Sequence, residues 1–173
     1  MISEQLQDAI NQQISREQYA AHLYLSMAAH FEGKNLRGFA KWMRHQSQEE
    51  TAHGMKLFDF LADRGGRVTL KAIGEPPADF DSVQSVMEKA LEHERQVTKD
   101  IYQLYELAQK VRDYAAHVLF EWFVSEQVEE ERTLEEILAQ IKLVGSEGTG
   151  LFLLDQRLSG RKNSATGEIA PAA

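Results

Sequence analysis

The chain has 173 residues, 19 Lys plus Arg against 27 Asp plus Glu, a formal net charge of −8, and no cysteine. The length predicts one domain, large enough to bury a core without covalent staples. The missing thiols exclude disulfides, thiolate zinc sites and cysteine nucleophiles, and are compatible with a reducing cytoplasm, where the protein is expected. The acidic balance makes a phosphate backbone a poor partner and cations a good one, so no nucleic acid is expected. The N-terminal stretch MISEQLQDAINQQ has neither a basic nor an apolar leader region. No apolar run approaches the roughly 20 residues that span a bilayer, so no membrane partner is expected.

In chain order, four long segments have helical apolar spacing. The first runs from about Ser3, as N-cap, to Glu32, with Gly33 at the stop. The second runs from about Asn35 to Arg64 and ends at Gly65-Gly66. The third starts near Asp81, which has capping-box spacing to Gln84, and ends near Lys110. The fourth runs from about Asp113 to Val144 and stops at Gly145. About three residues join the first two helices and about three join the last two, so each pair is expected to be antiparallel neighbours. About 15 residues around RVTLKAIGEPPADF join the second helix to the third, long enough to cross the length of a bundle. A Gly/Ser hinge then leads to LFLLDQRL, a short fifth helix. The expected fold is all-α, an antiparallel four-helix bundle with one long crossover and a C-terminal fifth helix. The bundle is assigned to residues 1–145, the short helix to 146–158 and a frayed, flexible tail to 159–173.

The inward seam of each helix, taken in steps of three and four, is apolar at its ends and polar in its middle. The first seam is Leu6, Ile10, Gln13, Glu17, Ala20, Tyr24, Met27, Phe31, and the second Phe39, Met43, Gln46, Glu50, His53, Leu57, Phe60. The third is Val83, Met87, Ala90, Glu94, Val97, Ile101, Leu104, and the fourth Ala116, Phe120, Phe123, Gln127, Glu130, Leu134, Ile137, Ile141. Each carries one central glutamate, about 20 Å along its helix at 1.5 Å per residue, so four carboxylates meet at one level. Desolvation and mutual repulsion forbid four unpaired buried carboxylates. No lysine or arginine lies on the seams near that level, so protons or metal must neutralise them. Two divalent ions balance four carboxylates, and His53, three residues after Glu50, adds a neutral nitrogen. Oxygen-rich ligation with one imidazole suits iron or manganese, and zinc can also occupy such a site.

Glu17, Tyr24, Glu49-Glu50-Thr51-Ala52-His53, Glu94 and the run WFVSEQVEEE from Trp122 to Glu131 resemble the non-haem bacterial ferritins, over residues 1 to about 158. The resemblance implies a ferritin-like di-iron site with Glu17, Glu50 and His53 at one iron, Glu50 bridging, and Glu94 and Glu130 at the other. It implies that Gln127 touches oxygen species or water at the second iron and that Tyr24 stands beside the site. It also implies a third iron site at Glu49, Glu126 and Glu129, on the cavity side. Where the di-iron pattern of related bundles has a second Glu-x-x-His, this chain has Gln127-x-x-Glu130, so the second metal should be held more weakly. Thr51 stands where a bacterioferritin has its haem methionine, so no haem is expected. Trp122 is read as packing, and His22, His30, His45, His93 and His117 as surface or interface residues.

The function so implied is iron storage. Fe(II) is oxidised by O2 or H2O2 at a ferroxidase centre, and ferric mineral is kept in a homo-oligomeric, 24-subunit shell. A di-iron oxygenase or peroxidase is a different class. It needs a substrate pocket or an electron-donor domain, and the chain has no spare domain or rubredoxin-like cysteine set. A purely structural bundle with protonated glutamates is the third reading. Leu151 to Leu154 are four consecutive apolar residues, covering about 300° of a helix at roughly 100° each. One bundle cannot bury so wide a face, so the fifth helix is expected to meet other copies.

Overall fold

The computed structural model describes residues 2–145 and 147–160. They form five helices: α1 Glu4–Gly33, α2 Arg37–Asp63, α3 Val83–Lys110, α4 Tyr114–Val144 and α5 Gly148–Gly160. There is no strand among the described residues. The fold is the expected all-α bundle with one long crossover and a short fifth helix. The helix ends follow local chemistry. Ser3 caps α1 by accepting from the Leu6 N–H, and Asp113 caps α4 by accepting from that of Ala116. The capping box of α3 lies one residue beyond the Asp81–Gln84 pair: Ser82 and Ser85 exchange the two reciprocal bonds. Asn35 and Arg112, with φ of 58° and 56°, reverse the chain between α1 and α2 and between α3 and α4.

Cross-helix pairs give the directions. Tyr24 meets Glu94 and Arg16 meets Asp100, so α1 and α3 are antiparallel. Gln46 meets Glu130 and Arg64 meets Asp113, which makes α2 antiparallel to α4. Gln127 meets Thr98 and Arg95 meets Glu135, which sets α3 against α4 in the same way. Asn11, near the start of α1, clasps the chain just past the end of α2. It donates to the Arg67 carbonyl at 2.9 Å and accepts from the Thr69 N–H at 2.7 Å. Helices α2 and α3 are therefore parallel, and residues 64–82 must travel the full bundle between them. Ser26 fastens the far part of this crossover by donating to the Pro77 carbonyl.

The apolar core is divided. One cluster holds Phe31, Phe39, Trp42, Met43, Met87, Leu134 and Ile137; the other holds Leu6, Ile10, Leu57, Leu61, Ile101, Phe120 and Phe123. The polar centres of the four seams lie between them. Two seam positions differ from expectation: Leu61 and Val86 are fully buried, while Phe60 and Val83 are only half-buried. The Arg64 guanidinium lies 5.4 Å from the Phe60 ring, so the outward turn still serves the cation.

Helix α5 packs on α2 and joins the first cluster through Leu151, Leu154 and Leu158. Leu36, the N-cap of α2, offers no side-chain bond, and Asp155 supplies it by accepting from the Phe39 N–H at 2.9 Å. The approach is close enough that a Cβ on Gly38 would lie 1.7 Å from the Asp155 carbonyl oxygen, so only glycine fits there. Phe152 and Leu153 stay 58% and 60% exposed, so one bundle leaves half of the four-residue apolar run uncovered. The helix extends two residues past the expected 158. The tail expected from 159 falls, from 161 onward, outside the described residues. No helix among them is long and apolar enough to cross a membrane.

Candidate metal centre

Glu17, Glu50, Glu94 and Glu130 lie at most 7% exposed in the layer between the two apolar clusters, with His53, Gln127 and Tyr24 beside them and likewise buried. The helical repeat turns each of these residues inward once the apolar seam has fixed the rotation of its helix. No lysine or arginine among the described residues pairs with any of the four glutamates.

The two halves of the layer differ. Glu17, Glu50 and His53 each bring a ligand atom within 4.8 Å of the others, and among the described residues this is the one such group of three. His53 Nδ1 is 3.6 Å from Glu50 Oε2. Glu17 Oε2 and Glu50 Oε2 are buried and unpartnered, the condition in which a carboxylate oxygen demands a cation or a proton. In the other half the oxygens are engaged. Tyr24 donates to Glu94 Oε1 at 2.5 Å, Gln127 Nε2 to Glu94 Oε2 at 3.1 Å, and Gln46 Nε2 to Glu130 Oε2 at 2.8 Å. The remaining oxygen of Glu17, Oε1, accepts from Gln13 Nε2 at 2.8 Å.

Burial and like charge hold protons on these groups. Burial first, and then the Glu50 charge, raise Glu17 well above the usual carboxylate range. Burial and then Glu94 do the same to Glu50. Glu130 is pushed up to about 8, by burial, then by Glu94 and Glu49. The Tyr24 phenol is raised by burial and then by Glu94, so it remains a hydrogen-bond donor. The donor set, four carboxylates and one imidazole with orphaned oxygens and no protein counter-charge, fits divalent metal cations.

Glu49 and Glu126 are half-buried and Glu129 is exposed. The three do not stand together at ligand spacing, although the charges of Glu49 and Glu126 both act on Glu130. Trp122 packs edge-on against His53 at 5.6 Å and carries Lys56 Nζ 4.0 Å above its ring, so the indole is held from both sides. Of the other histidines, His117 lies tilted against Tyr105 at 4.3 Å and His30 packs edge-on against Phe80 at 5.3 Å. His93, read as a surface or interface residue, is half-buried, its Nε2 has no partner, and burial lowers its pKa. Gln13 and Gln46 had no assigned role in the seam pattern. Each stands one turn before a seam glutamate, and that was the available signal: an amide on an apolar seam needs a partner. Thr98 and Glu131, which extend the network around Gln127, lie off the seam and gave none.

Residues 7–144 match the ferritin-like domain family. The bacterial non-heme ferritin of Staphylococcus haemolyticus (strain JCSC1435) is 37% identical over 161 residues, covering 93% of this chain and 97% of that protein. The bacterial non-heme ferritin of Staphylococcus aureus (strain USA300) is 35% identical over the same span and coverage. The open pore ferritin of the hyperthermophilic archaeon Archaeoglobus fulgidus superposes with a TM-score of 0.92 at 46% identity, over 94% of this chain and 100% of that one. A humanized archaeal ferritin superposes with a TM-score of 0.92 at 44% identity, over 94% and 98%. The fold, the site and the similarity extend along nearly the whole chain, and the chain belongs to the ferritin family.

Proposed function

We propose that this chain is the subunit of an iron-storage ferritin that binds Fe(II) in pairs, oxidises it and passes the ferric product to the interior of a shell. The observation that carries the reading is the pair of orphaned buried oxygens, Glu17 Oε2 and Glu50 Oε2, beside His53 in a layer of four glutamates without a counter-charge. Iron is the substrate. Glu17, Glu50 and His53 take the first Fe(II), Glu50 bridges, and Glu94 and Glu130 take the second, with Gln127 beside it. Two Fe(II) yield two electrons, which with two protons reduce O2 to H2O2, or reduce H2O2 to two waters. The chain supplies position and charge. Its carboxylates neutralise the cations, the raised pKa values of Glu17, Glu50 and Glu130 make the protons they give up available at neutral pH, and Tyr24 holds Glu94 in place through its phenol.

Glu49, Glu126 and Glu129 flank this layer on α2 and α4, and we assign them to a third iron position, met after the pair. The bundle of residues 1–145 holds the chemistry, and residues 146–158 serve the contacts between copies. Phe152 and Leu153 need a cover, and other copies of α5 in a closed shell of 24 subunits provide it, each subunit carrying a charge of −8 that attracts Fe(II).

The reading is tested by sizing the purified protein before and after aerobic Fe(II) loading, with oxidation followed by absorbance. A large particle that gains iron without changing its hydrodynamic radius is expected. A monomer or dimer at micromolar concentration overturns the shell, and failure to oxidise Fe(II) overturns the ferroxidase. Replacing Glu49, Glu126 and Glu129 together by glutamine should leave tight binding of two Fe(II) intact and change the stoichiometry of oxidation. An unchanged stoichiometry removes the third position.

A further inference from the structure

We propose that Thr98 is a positioning residue for the second iron. Its hydroxyl oxygen holds the Gln127 amide nitrogen on the α3 side, which leaves the amide oxygen as the end offered to the cation. The proposal rests on the reading above that Gln127 belongs to the second site.

Gln127 Nε2 has three acceptors, all on α3: Glu94 Oε2 at 3.1 Å, the Glu94 carbonyl at 3.2 Å and Thr98 Oγ1 at 3.3 Å. Two of these compete with other duties. The Glu94 carboxylate is assigned to iron, and an oxygen that binds a cation accepts less well. The Glu94 carbonyl lies inside α3, where the helical ladder already draws on it. Thr98 Oγ1 is the acceptor that keeps its role when the site fills.

The polarity of Thr98 follows from the far side. Its single proton can go to Glu131 Oε1 at 2.5 Å or to the Glu94 carbonyl at 3.0 Å. The charge-assisted, shorter bond is the stronger, so the proton points to Glu131 and the lone pairs face Gln127. Glu131 is itself turned: its other oxygen lies 3.6 Å from Arg95 Nε, and Arg95 is anchored on Glu135 at 2.8 Å. Gln127 thus donates to Thr98 and Thr98 to Glu131, whose carboxylate also faces the surface Arg95. A flipped Gln127 would set its oxygen against the two oxygens of Glu94, which can only accept. Ser15, Thr51 and Ser125 bond only to the carbonyl four residues back, the ordinary habit of a helical hydroxyl. Thr98 lies within reach of its own carbonyl four residues back, yet its hydroxyl bridges two side chains of α4.

The test uses the full-length, metal-free protein and anaerobic calorimetric titration with Fe(II), which resolves a first and a second binding step. Thr98→Val keeps the shape and removes the hydroxyl; Thr98→Ala replaces it if valine disturbs α3; Thr98→Ser restores the hydroxyl. Thr98→Val should weaken the second step by about tenfold, as loss of an outer partner of a ligand does, and leave the first unchanged. Thr98→Ser should match the parent. Thr98→Val added to Gln127→Ala should cost nothing further. With Co(II) as probe, Thr98→Val and Gln127→Ala should change the visible absorption of the second ion in the same way. The proposal is overturned if Thr98→Val binds as the parent does while Gln127→Ala is weakened, if the two effects add, or if both steps weaken equally. If Gln127→Ala leaves the second step unchanged, the placement of Gln127 fails first and the proposal with it.

Discussion

Replacing Glu130 by glutamine should stabilise the metal-free protein, and by an amount that depends on pH. Glu130 is 7% exposed, and its pKa is pushed up to about 8 by burial, then by Glu94 and Glu49. In the unfolded chain it returns to 4.5. Between those values the folded state holds a proton that the unfolded state releases, so stability falls as pH rises, by about 1.4 kcal/mol per pH unit. At pH 7 the interval above 4.5 is 2.5 units, which sets an upper bound of about 3 kcal/mol on what this one group costs the fold. Glutamine does not titrate, and its oxygen can keep the bond that Glu130 Oε2 accepts from Gln46 Nε2 at 2.8 Å. Its amide protons have Glu94, Glu49 and Glu126 as nearby acceptors. Urea unfolding of chelator-treated parent and Glu130→Gln, run side by side at pH 4.5, 6, 7 and 8, reads the difference. The two midpoints should nearly coincide at pH 4.5, and the variant should lead by a widening margin up to pH 8. A margin that stays constant with pH would refute the electrostatic account. A variant less stable than the parent at pH 8 would show that Glu130 meets a counter-charge in the folded protein.

The same protons set the pH dependence of metal binding. Glu17 and Glu50 are raised well above 4.5 and Glu130 to about 8, so anaerobic Fe(II) binding near pH 7 should release at least one proton per pair of ions, and affinity should fall as pH falls below 7. An indicator dye in weak buffer measures the release, and binding with no proton release contradicts it. His53→Ala removes the only imidazole of the three-residue ligand group and should weaken the first Fe(II) by more than tenfold while the bundle keeps its helicity. Calorimetry and circular dichroism together decide that. Gly38→Ala places a Cβ 1.7 Å from the Asp155 carbonyl oxygen, so α5 must shift. Light scattering should show a less stable or altered assembly, with the Fe(II)-binding steps of the bundle unchanged.

The bundle was legible because its periodicity is strong: each seam is apolar over two long stretches, and glycine or a capping side chain marks most helix ends. Helix starts were placed less well where two candidates adjoin. Asp81 and Ser82 both suit an N-cap, and only the geometry, in which Ser85 returns the bond, selects Ser82. A fixed three-four step accumulates error toward helix ends, so it turns Phe60 and Val83 inward where Leu61 and Val86 are the buried residues. The glutamates were legible as a set because charge on four apolar seams at one depth has no other cheap explanation. The hydrogen-bond donors were not. Which carboxylate an amide serves depends on rotamers and on the neighbouring helix: Gln13 serves Glu17 on its own helix, whereas Gln46 reaches Glu130 across to α4. The docking of α5 by Asp155 onto the start of α2 was equally hidden, since the two residues it ties lie 116 positions apart.

The asymmetry of the site follows from who serves whom. In one half, Glu17 and Glu50 keep buried oxygens with no partner, and His53 offers a nitrogen beside them. A cation arriving there displaces protons, including the one shared between Glu17 and Glu50, but meets no amide or phenol donor at those two oxygens. In the other half, a cation must compete with Tyr24 and Gln127 for Glu94 and with Gln46 for Glu130. Each such bond is worth about 1 kcal/mol net, and those to charged groups more, so displacing one weakens the second ion by about fivefold and displacing two by more than tenfold. The departure from Glu-x-x-His works in the same direction under the proposed function, because Gln127 offers a neutral amide where that pattern has a glutamate, and Glu130 stands at the histidine position. Under the proposed function the imbalance is useful. The first ion is held where the chain is prepared for it, while the second sits among residues that have neutral donors to return to. When that ion leaves as ferric product, Glu94 and Glu130 recover their bonds to tyrosine and amide, so the release is coupled to restoring those bonds.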